Sequence, residues 1–454
     1  MKKWTALLLA LVLTLSLTGG ALAASGEADT TVTPQAQAWW DSFTVPEGME
    51  DVTLYPDENL ALRERNYETV CRFMQGLSPY LFMLYADDVV TGVAYDFSLT
   101  KNAMRNSNLA FQLMLDASNA ESYPDWTWSN IKVYQSSDPN VFVVECDGSG
   151  TLYEDGEPVR THTDHYLHRF TLSDGKIAEY IEYNNPIQEL LEMGVDVPGP
   201  GGMPSGGSNE PSGEASGEAS DEPKDKASGE PSDEPKDKAS DEPSDEPKGK
   251  ASGEPSDEPR DKASDEPSDE PRDKKRDKAS GEPSEEPAGI LTADEQAWWD
   301  GFKVPEGMDG VALFPDDQLA LRERNYETVC RYMVNLSPYL YLLLADEFST
   351  GVAYDFGGTT NPFNPVMCTN LTMQKALDAS NAETYSDWQW SDYRVYQSDD
   401  PNVFLVECDG GGNGHNDHYV HKFVLTDGKI RQYVEFNSPL NELIEGGYEV
   451  PNFH

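Results

Sequence analysis

Apolar positions fall in two long blocks separated by a stretch that has almost none. In the first block Leu62, Tyr67, Val70, Phe73 and Met74 lie at helical spacing within residues 60–77, with acidic residues early. Ser78-Pro79 suits the start of a second, very apolar helix over 80–86. Residues 89–97 are rich in strand formers, and 108–120 reads as a third helix. Strand patterns follow at 131–134, 141–147, 164–172 and 176–184. Asp138-Pro139-Asn140 makes a turn between two of them, and Asp174-Gly175 a hairpin between two others. Pro186 then opens a closing helix that runs to Met193. Helices first and a meandering antiparallel sheet afterwards is an α+β order.

The second block repeats the first. "QAWWDSFTVPEGM" from Gln37 recurs as "QAWWDGFKVPEGM" from Gln296, and "LALRERNYETVCRFM" from Leu60 recurs as "LALRERNYETVCRYM" from Leu319. Over 37–88 against 296–347, 37 of 52 ungapped positions are identical, a density that means duplication. The copies also end alike, "YIEYNNPIQELLEMGVDVP" and "YVEFNSPLNELIEGGYEVP". One segment differs: between Asp147 and Asp164 the first copy carries a long hairpin, which between Asp409 and Asp417 is nine residues shorter and glycine-rich. If that loop borders a pocket, the two copies take different ligands, or one has lost its ligand.

Between the copies a 12-residue period, "ASGEPSDEPKDK" from Ala227 and its variants, contains no aromatic and no large aliphatic residue. With nothing to bury it cannot offset its ordering entropy and is expected to be disordered. A flexible chain of about 90 residues spans roughly 50 Å on average, and proline and like charge extend it further. The expected organisation is a signal peptide at 1–24, a first domain at 34–198, a linker at 199–289 and a second domain at 291–454, the two domains acting as separate beads.

The signal peptide rests on Lys2 and Lys3, an apolar run from Ala6 to Leu17 and the small-residue end Ala21-Leu22-Ala23-Ala24. Secretion to the extracellular space is therefore expected, with no integral membrane segment. Formal net charge is −49, and 55 of the 82 acidic residues lie outside 201–289, so the folded parts are themselves polyanionic. Such surfaces repel phosphate backbones, which argues against nucleic-acid binding. Of five cysteines, Cys71 and Cys146 have counterparts in Cys330 and Cys408, whereas Cys368 has none. One bridge per copy and buried free thiols both fit this pattern.

The order of elements matches the cone-shaped fold of the nuclear-transport-factor-two-like superfamily, a curved sheet wrapped round a long helix and a pocket. "YPDWTWSNIKVYQSSDPNVFVVECDG" from Tyr123, "DHYLHRFTLSDGKI" from Asp164 and "YIEYNNPIQELLEMGVDVP" from Tyr180 resemble the phenazine-biosynthesis A/B family. The second copy carries the same words from Tyr385 and Asp417. The resemblance implies a small homodimer whose deep pocket binds a cyclic carboxylated precursor. It also implies a glutamate and a helix histidine that assist condensation of an aminoketone to an imine. The glutamate matches Glu182 and Glu435. The histidine stretch reads Leu109-Ala110-Phe111-Gln112 and Leu371-Thr372-Met373-Gln374, so neither copy has that histidine.

Strand alternation puts Tyr180 beside Glu182, and Tyr433 beside Glu435, on one face, where a glutamate in a concave sheet would act as a general base with a raised pKa. A carboxylate held at the rim by tyrosine or arginine is the structural alternative. Six of seven histidines form two H-x-x-H-x-x-H runs, His162, His165, His168 and His415, His418, His421. A spacing of three alternates faces, which argues against a shared metal; no metal or other cofactor is expected. His165, His168, His418 and His421 are instead candidates for pocket donors or acceptors titrating near neutral pH. Trp126 and Trp128, like Trp388 and Trp390, share a face and would line a wall for a flat ligand, or else pack sheet against helix. The expected function is a secreted tandem binder of a cyclic or aromatic small molecule, with residual isomerase- or cyclase-like acid/base activity. Pairing between cone domains, within or between chains, would accompany it. The alternative is a pair of non-catalytic modules that bind proteins or the cell envelope on a flexible tether.

Overall fold

The computed structural model describes residues 30–94, 104–185, 187, 291–353 and 366–438. The expected signal peptide, the linker and nearly all of each closing helix lie outside the described residues. The first copy runs α1 (Pro34–Asp41), α2 (Leu60–Phe73), a 3-10 turn (Leu81–Leu84), β1 (Tyr85–Val93), β2 (Met104–Asn106), α3 (Leu109–Ser122), β3 (Thr127–Gln135), β4 (Val141–Glu154), β5 (Glu157–Ser173) and β6 (Lys176–Tyr183). The second repeats this order: α4 (Ala293–Asp300), α5 (Leu319–Tyr332), a 3-10 turn (Leu340–Leu343), β7 (Leu344–Val352), β8 (Val366–Cys368), α6 (Leu371–Thr384), β9 (Gln389–Gln397), β10 (Val403–Gly412), β11 (His415–Thr426) and β12 (Lys429–Phe436).

Local chemistry accounts for these elements. Thr33 caps α1 ahead of Pro34, and Thr292 with Glu295 forms a capping box on α4. Asn108 caps α3, its side chain accepting from the Phe111 amide at 3.2 Å. The buried side of α2 carries Arg63, Asn66, Val70 and Phe73. Arg63 is fully buried and donates to the Ser136 and Ser137 carbonyls, at 3.1 and 3.2 Å, while pairing with Asp57 at 3.0 Å. Asn66 donates to the Pro139 carbonyl at 3.0 Å. The helix word and the Asp-Pro-Asn turn therefore clamp each other, and Arg322 and Asn325 do the same in the second copy.

Residues 80–86 do not form the expected helix. Leu81 and Leu84 bury at the i, i+3 spacing of a 3-10 turn, and Tyr85 already starts β1. The sheet is not purely antiparallel either, because β1 pairs in parallel with β6. The long hairpin of the first copy is β4 and β5 prolonged to a turn at Asp155-Gly156, both with positive φ, whereas the second copy turns earlier, at Asn413-Gly414. All five cysteines are free, which leaves the thiol alternative and removes the bridge. Among the described residues no helix is long and apolar enough to cross a membrane.

The expectation of separate beads is corrected. The strands form one twelve-stranded sheet in the order β2-β1-β6-β5-β4-β3-β9-β10-β11-β12-β7-β8, joined at Gln135 and Gln397. Alternation gives each strand two destinations. Phe142, Val144, Cys146, Phe170 and Tyr180 turn into their own cone. Val143, Leu167, Ile181 and Tyr183 turn outward and pack on Leu405, Val420, Val434 and Phe436 of the other copy. Charges cross the same contact. The Lys422 ammonium reaches the Glu145 carboxylate at 2.5 and 2.7 Å, and Arg169 approaches Glu407 to 3.5 Å. Linker length alone gave the bead expectation, and it does not register an apolar outward face.

Lys422→Met removes the crossing cation and leaves Glu145 to His165, Lys132 and the Tyr134 hydroxyl, so it should cost about 1.5–3 kcal/mol in urea unfolding. Adding Glu145→Gln should recover much of that loss, because a neutral amide at that position needs no countercharge. A Lys422→Met protein as stable as wild type would show that the crossed pair carries no stability.

Candidate functional site

Inside the first cone, α2, α3 and the inner face of the sheet enclose a cavity of about 270 Å³. Its floor is β6, whose inward residues Tyr180 and Glu182 both line it. One wall is aromatic. Trp126 and Trp128 meet edge to face at 5.2 Å, and Trp126 stacks on His162 at 5.7 Å. The wall depends on Gly148, since a Cβ there would lie 2.4 Å from the Trp126 ring and 2.7 Å from that of Trp128. The Asp-Gly pair after Cys146 thus has a packing reason, repeated at Gly410 beneath Trp388 and Trp390.

Behind the floor lies a hydrogen-bonded row. The Tyr180 hydroxyl lies 2.7 Å from Glu182 Oε2 and 2.7 Å from His168 Nδ1. His168 is fully buried, stacked between Tyr166 and Tyr180, and its Nε2 has no hydrogen-bond partner. Burial pushes its pKa down to about 3, so the ring is neutral at ordinary pH. With Glu182 ionised, the tyrosine donates to the carboxylate and His168 Nδ1–H donates to the tyrosine oxygen. With Glu182 protonated, both bonds can reverse and the imidazole carries its proton on Nε2. Glu182 keeps 24% of its side chain accessible, towards the cavity. Desolvation lifts its pKa to about 7, assisted by the nearby Asp164 charge and opposed by the Tyr180 hydrogen bond and by His162. The second copy builds the same row, His421 to Tyr433 at 2.7 Å and Tyr433 to Glu435 at 2.8 Å, with Trp388 and Trp390 at 5.1 Å.

The structure brings Glu182, Tyr180, Trp126 and Trp128 to the cavity and places His168 one layer behind them. His165 and His418 are corrected as pocket residues. They point to the opposite face of their strands, where His165 bonds Asp147 at 2.6 Å and pairs with Glu145 at 3.2 Å, and His418 bonds Asp409 and Glu407. Those carboxylates raise both histidines to about 9 against their burial. Neither His165 nor His168 therefore titrates near neutrality, whereas the Glu182 carboxyl, pushed up to about 7, does. Sequence reasoning missed Thr91, Gln112, Asp116 and Tyr85, which also line the cavity. Two inward polar residues four apart on α3, Gln112 and Asp116, repeated as Gln374 and Asp378, were the available signal.

Each copy is therefore a nuclear-transport-factor-two-like cone, an α+β domain, and the first encloses a sheet-floored hollow. The family described as phenazine biosynthesis protein A/B matches residues 49–203 and 310–454, and the chain belongs to it. It is 32% identical over 157 residues to phenazine biosynthesis protein PhzB 2 of Pseudomonas aeruginosa (strain UCBPP-PA14), an alignment covering 34% of this chain and 91% of the relative. To phenazine biosynthesis protein PhzB of Pseudomonas fluorescens it is 43% identical over 76 residues, 17% of this chain and 47% of that protein. The crystal structure of a phenazine biosynthesis-related protein (phzb2) from Pseudomonas aeruginosa aligns at 30% identity over 33% of this chain and 92% of that one, with a TM-score of 0.29.

A carboxyl whose folded pKa is raised stabilises the fold below its unfolded value, and that contribution disappears as pH rises through about 7. Urea unfolding between pH 5 and 8 should show stability falling as pH rises, with Asp116 and Asp164 contributing in the same direction. Glu182→Gln should flatten part of that fall. Identical slopes in both proteins would mean that Glu182 is not desolvated in the cone.

Proposed function

We propose that this protein is a secreted binder of a cyclic or aromatic small molecule, in which the two cones work as one intramolecular dimer and Glu182 is the proton-exchanging group of the first. The observation that carries this reading is the cavity that places a desolvated carboxyl, hydrogen-bonded to Tyr180 and through it to His168, opposite an aromatic wall. A general base works best when its pKa lies near the operating pH, and Glu182 meets that condition. The relatives' names point to phenazine biosynthesis. The helix position where the family resemblance implies a histidine is Gln112 here, which cannot take up or give a proton, so condensation by that pair is not the chemistry proposed. A proton shift within a bound ring system needs only the carboxyl. A hollow of this size also favours a ligand over the alternative of purely surface-recognising modules.

The full-length protein, incubated with metabolite extract and examined by native mass spectrometry, should retain a small molecule that raises its melting temperature. Trp126→Ala and Glu182→Gln should each weaken retention about tenfold or more, the loss expected when a stacking face or a charged partner is removed. Absence of any retained compound, with melting unchanged by extract, would overturn the reading.

Export is tested separately. The protein recovered from culture medium should begin at Ser25 on N-terminal sequencing, and a chain that stays in the cell with Met1 in place would refute secretion.

A further inference from the structure

The cavity holds a second carboxyl that the row behind Glu182 does not use. Asp116, two turns into α3, is 6% exposed and lines the hollow. Its Oδ1 accepts from Gln112 Nε2 at 2.8 Å, and Gln112 Oε1 in turn accepts from Thr91 Oγ1 at 2.5 Å. Its Oδ2 is buried and has no hydrogen-bond partner within 3.5 Å, although the Tyr85 hydroxyl lies close enough to favour the charged form of the carboxyl. A carboxyl oxygen left bare in a desolvated site is costly and calls for an explanation.

The second copy repeats the arrangement. Asp378 is 5% exposed, its Oδ1 accepts from Gln374 at 2.7 Å, Thr350 donates to Gln374 at 2.5 Å, and Asp378 Oδ2 has no partner within 3.5 Å, although the Tyr341 backbone N–H lies close enough to favour the charged form of the carboxyl. Around these residues the helices diverge: Phe111 becomes Met373, Leu113 becomes Lys375 and Met114 becomes Ala376. The Thr-Gln-Asp chain persists in both copies, within a helix that is identical from Leu115 to Glu121 and from Leu377 to Glu383 and diverges mainly on its N-terminal side.

We propose that Asp116 is a second ligand-contacting carboxyl of the first hollow, whose Oδ2 meets an amine, ring N–H or hydroxyl of a planar ligand that also contacts Glu182. The inference rests on the reading of the hollow as a ligand site. It adds to that reading a ligand class, a flat ring bearing hydrogen-bond donors, for which two carboxyls and two indole faces are matched partners. Burial raises Asp116 to about 7, against smaller opposing contributions from Gln112 and Tyr85, so both carboxyls exchange protons in the same pH range. The groups facing them are Tyr85 and Gln112 at Asp116, and Tyr180, Asp164 and His162 at Glu182. Two such groups permit a balanced hydrogen shift on the ligand. One ionised carboxylate removes a proton, the other, protonated, returns one at a second position, and each ends in the state the other began in.

The test uses the full chain and 2-aminobenzimidazole as probe, with binding followed by quenching of tryptophan fluorescence at about pH 7.5. Wild type should bind the amine, and Asp116→Asn and Glu182→Gln should each weaken it about tenfold. Benzimidazole-2-carboxylate, the same ring with an acceptor in place of the donor, should bind more weakly than the amine to wild type. If Asp116→Asn binds the amine as wild type does while Glu182→Gln does not, the role of Asp116 is overturned and the hollow stands. If neither variant differs from wild type, the hollow itself is not the site. A second measurement does not depend on the variant folding: in wild-type protein labelled with 13C at the aspartate carboxyls, a resonance titrating near pH 7 should lose its proton when the probe saturates the protein. No aspartate resonance responding to the probe would also overturn the proposal.

Discussion

The architecture depends on two buried glutamates whose countercharges come partly from the other copy. Glu145 and Glu407 occupy the same outward position on β4 and β10, and each is nearly inaccessible. Tyr134 and Tyr396 hydrogen-bond them from within their own copies, at 2.7 and 2.5 Å. Lys422 crosses to Glu145 and Arg169 crosses to Glu407, and both carboxyls are held below the usual carboxylate range despite burial. A lone cone would leave each carboxylate without its crossing cation and would expose Leu167, Ile181 and Phe436 or their counterparts. Desolvation is tolerable only when the pair is complete, so folding and pairing are one problem for this chain.

That constraint separates two sets of acids by strand parity. Outward carboxyls, Glu145, Asp147, Glu407 and Asp409, lie beside cations and are pulled down in pKa. Inward or helix-borne ones, Glu182, Asp116 and Asp378, face apolar or neutral surroundings and are pushed up. The first set stays charged and secures the interface, while the second changes state near neutrality and is available for exchange with a ligand. The alternation that buries Leu167 against the other copy also turns His168 inward and His165 outward.

This explains how far the sequence could be read. Duplication, α+β order, the glutamate–tyrosine face and the tryptophan pair follow from local words and from period two, and the structure keeps them. His165 was misplaced because parity tells which residues share a face but not which face looks into the hollow. Only the apolar outward set Val143, Leu167, Ile181 and Tyr183 settles that, and it acquires meaning once a second sheet covers it. The 80–86 run has helical composition, but the pull of β6 on β1 decides it, a non-local pairing that propensity does not contain. Asp116 was overlooked because an aspartate in an otherwise apolar helix reads as solvent-facing until its neighbours in space are known.

The copies are alike enough to build the same row and different enough to tune it. Phe73 on α2 becomes Tyr332 on α5, while Tyr85 at the head of β1 becomes Leu344 at the head of β7. The phenol thus changes its carrier element while an aspartate stays beside it. Tyr85 lies beside Gln112 and Asp116; Tyr332 lies beside Asp378, with its ring 4.7 Å from that of Tyr433 in the row that ends on Glu435. The charged contacts diverge as well, with Lys132 and Lys422 about Glu145 but Arg394 and Arg169 about Glu407. Copies of one kind would still neutralise each other across such an interface, so charge alone does not select unlike partners. A tether that keeps the second cone within reach of the first does, by raising its effective concentration above that of any other chain. Duplication with a linker thereby frees each cone to change separately, which a dimer of identical subunits does not allow.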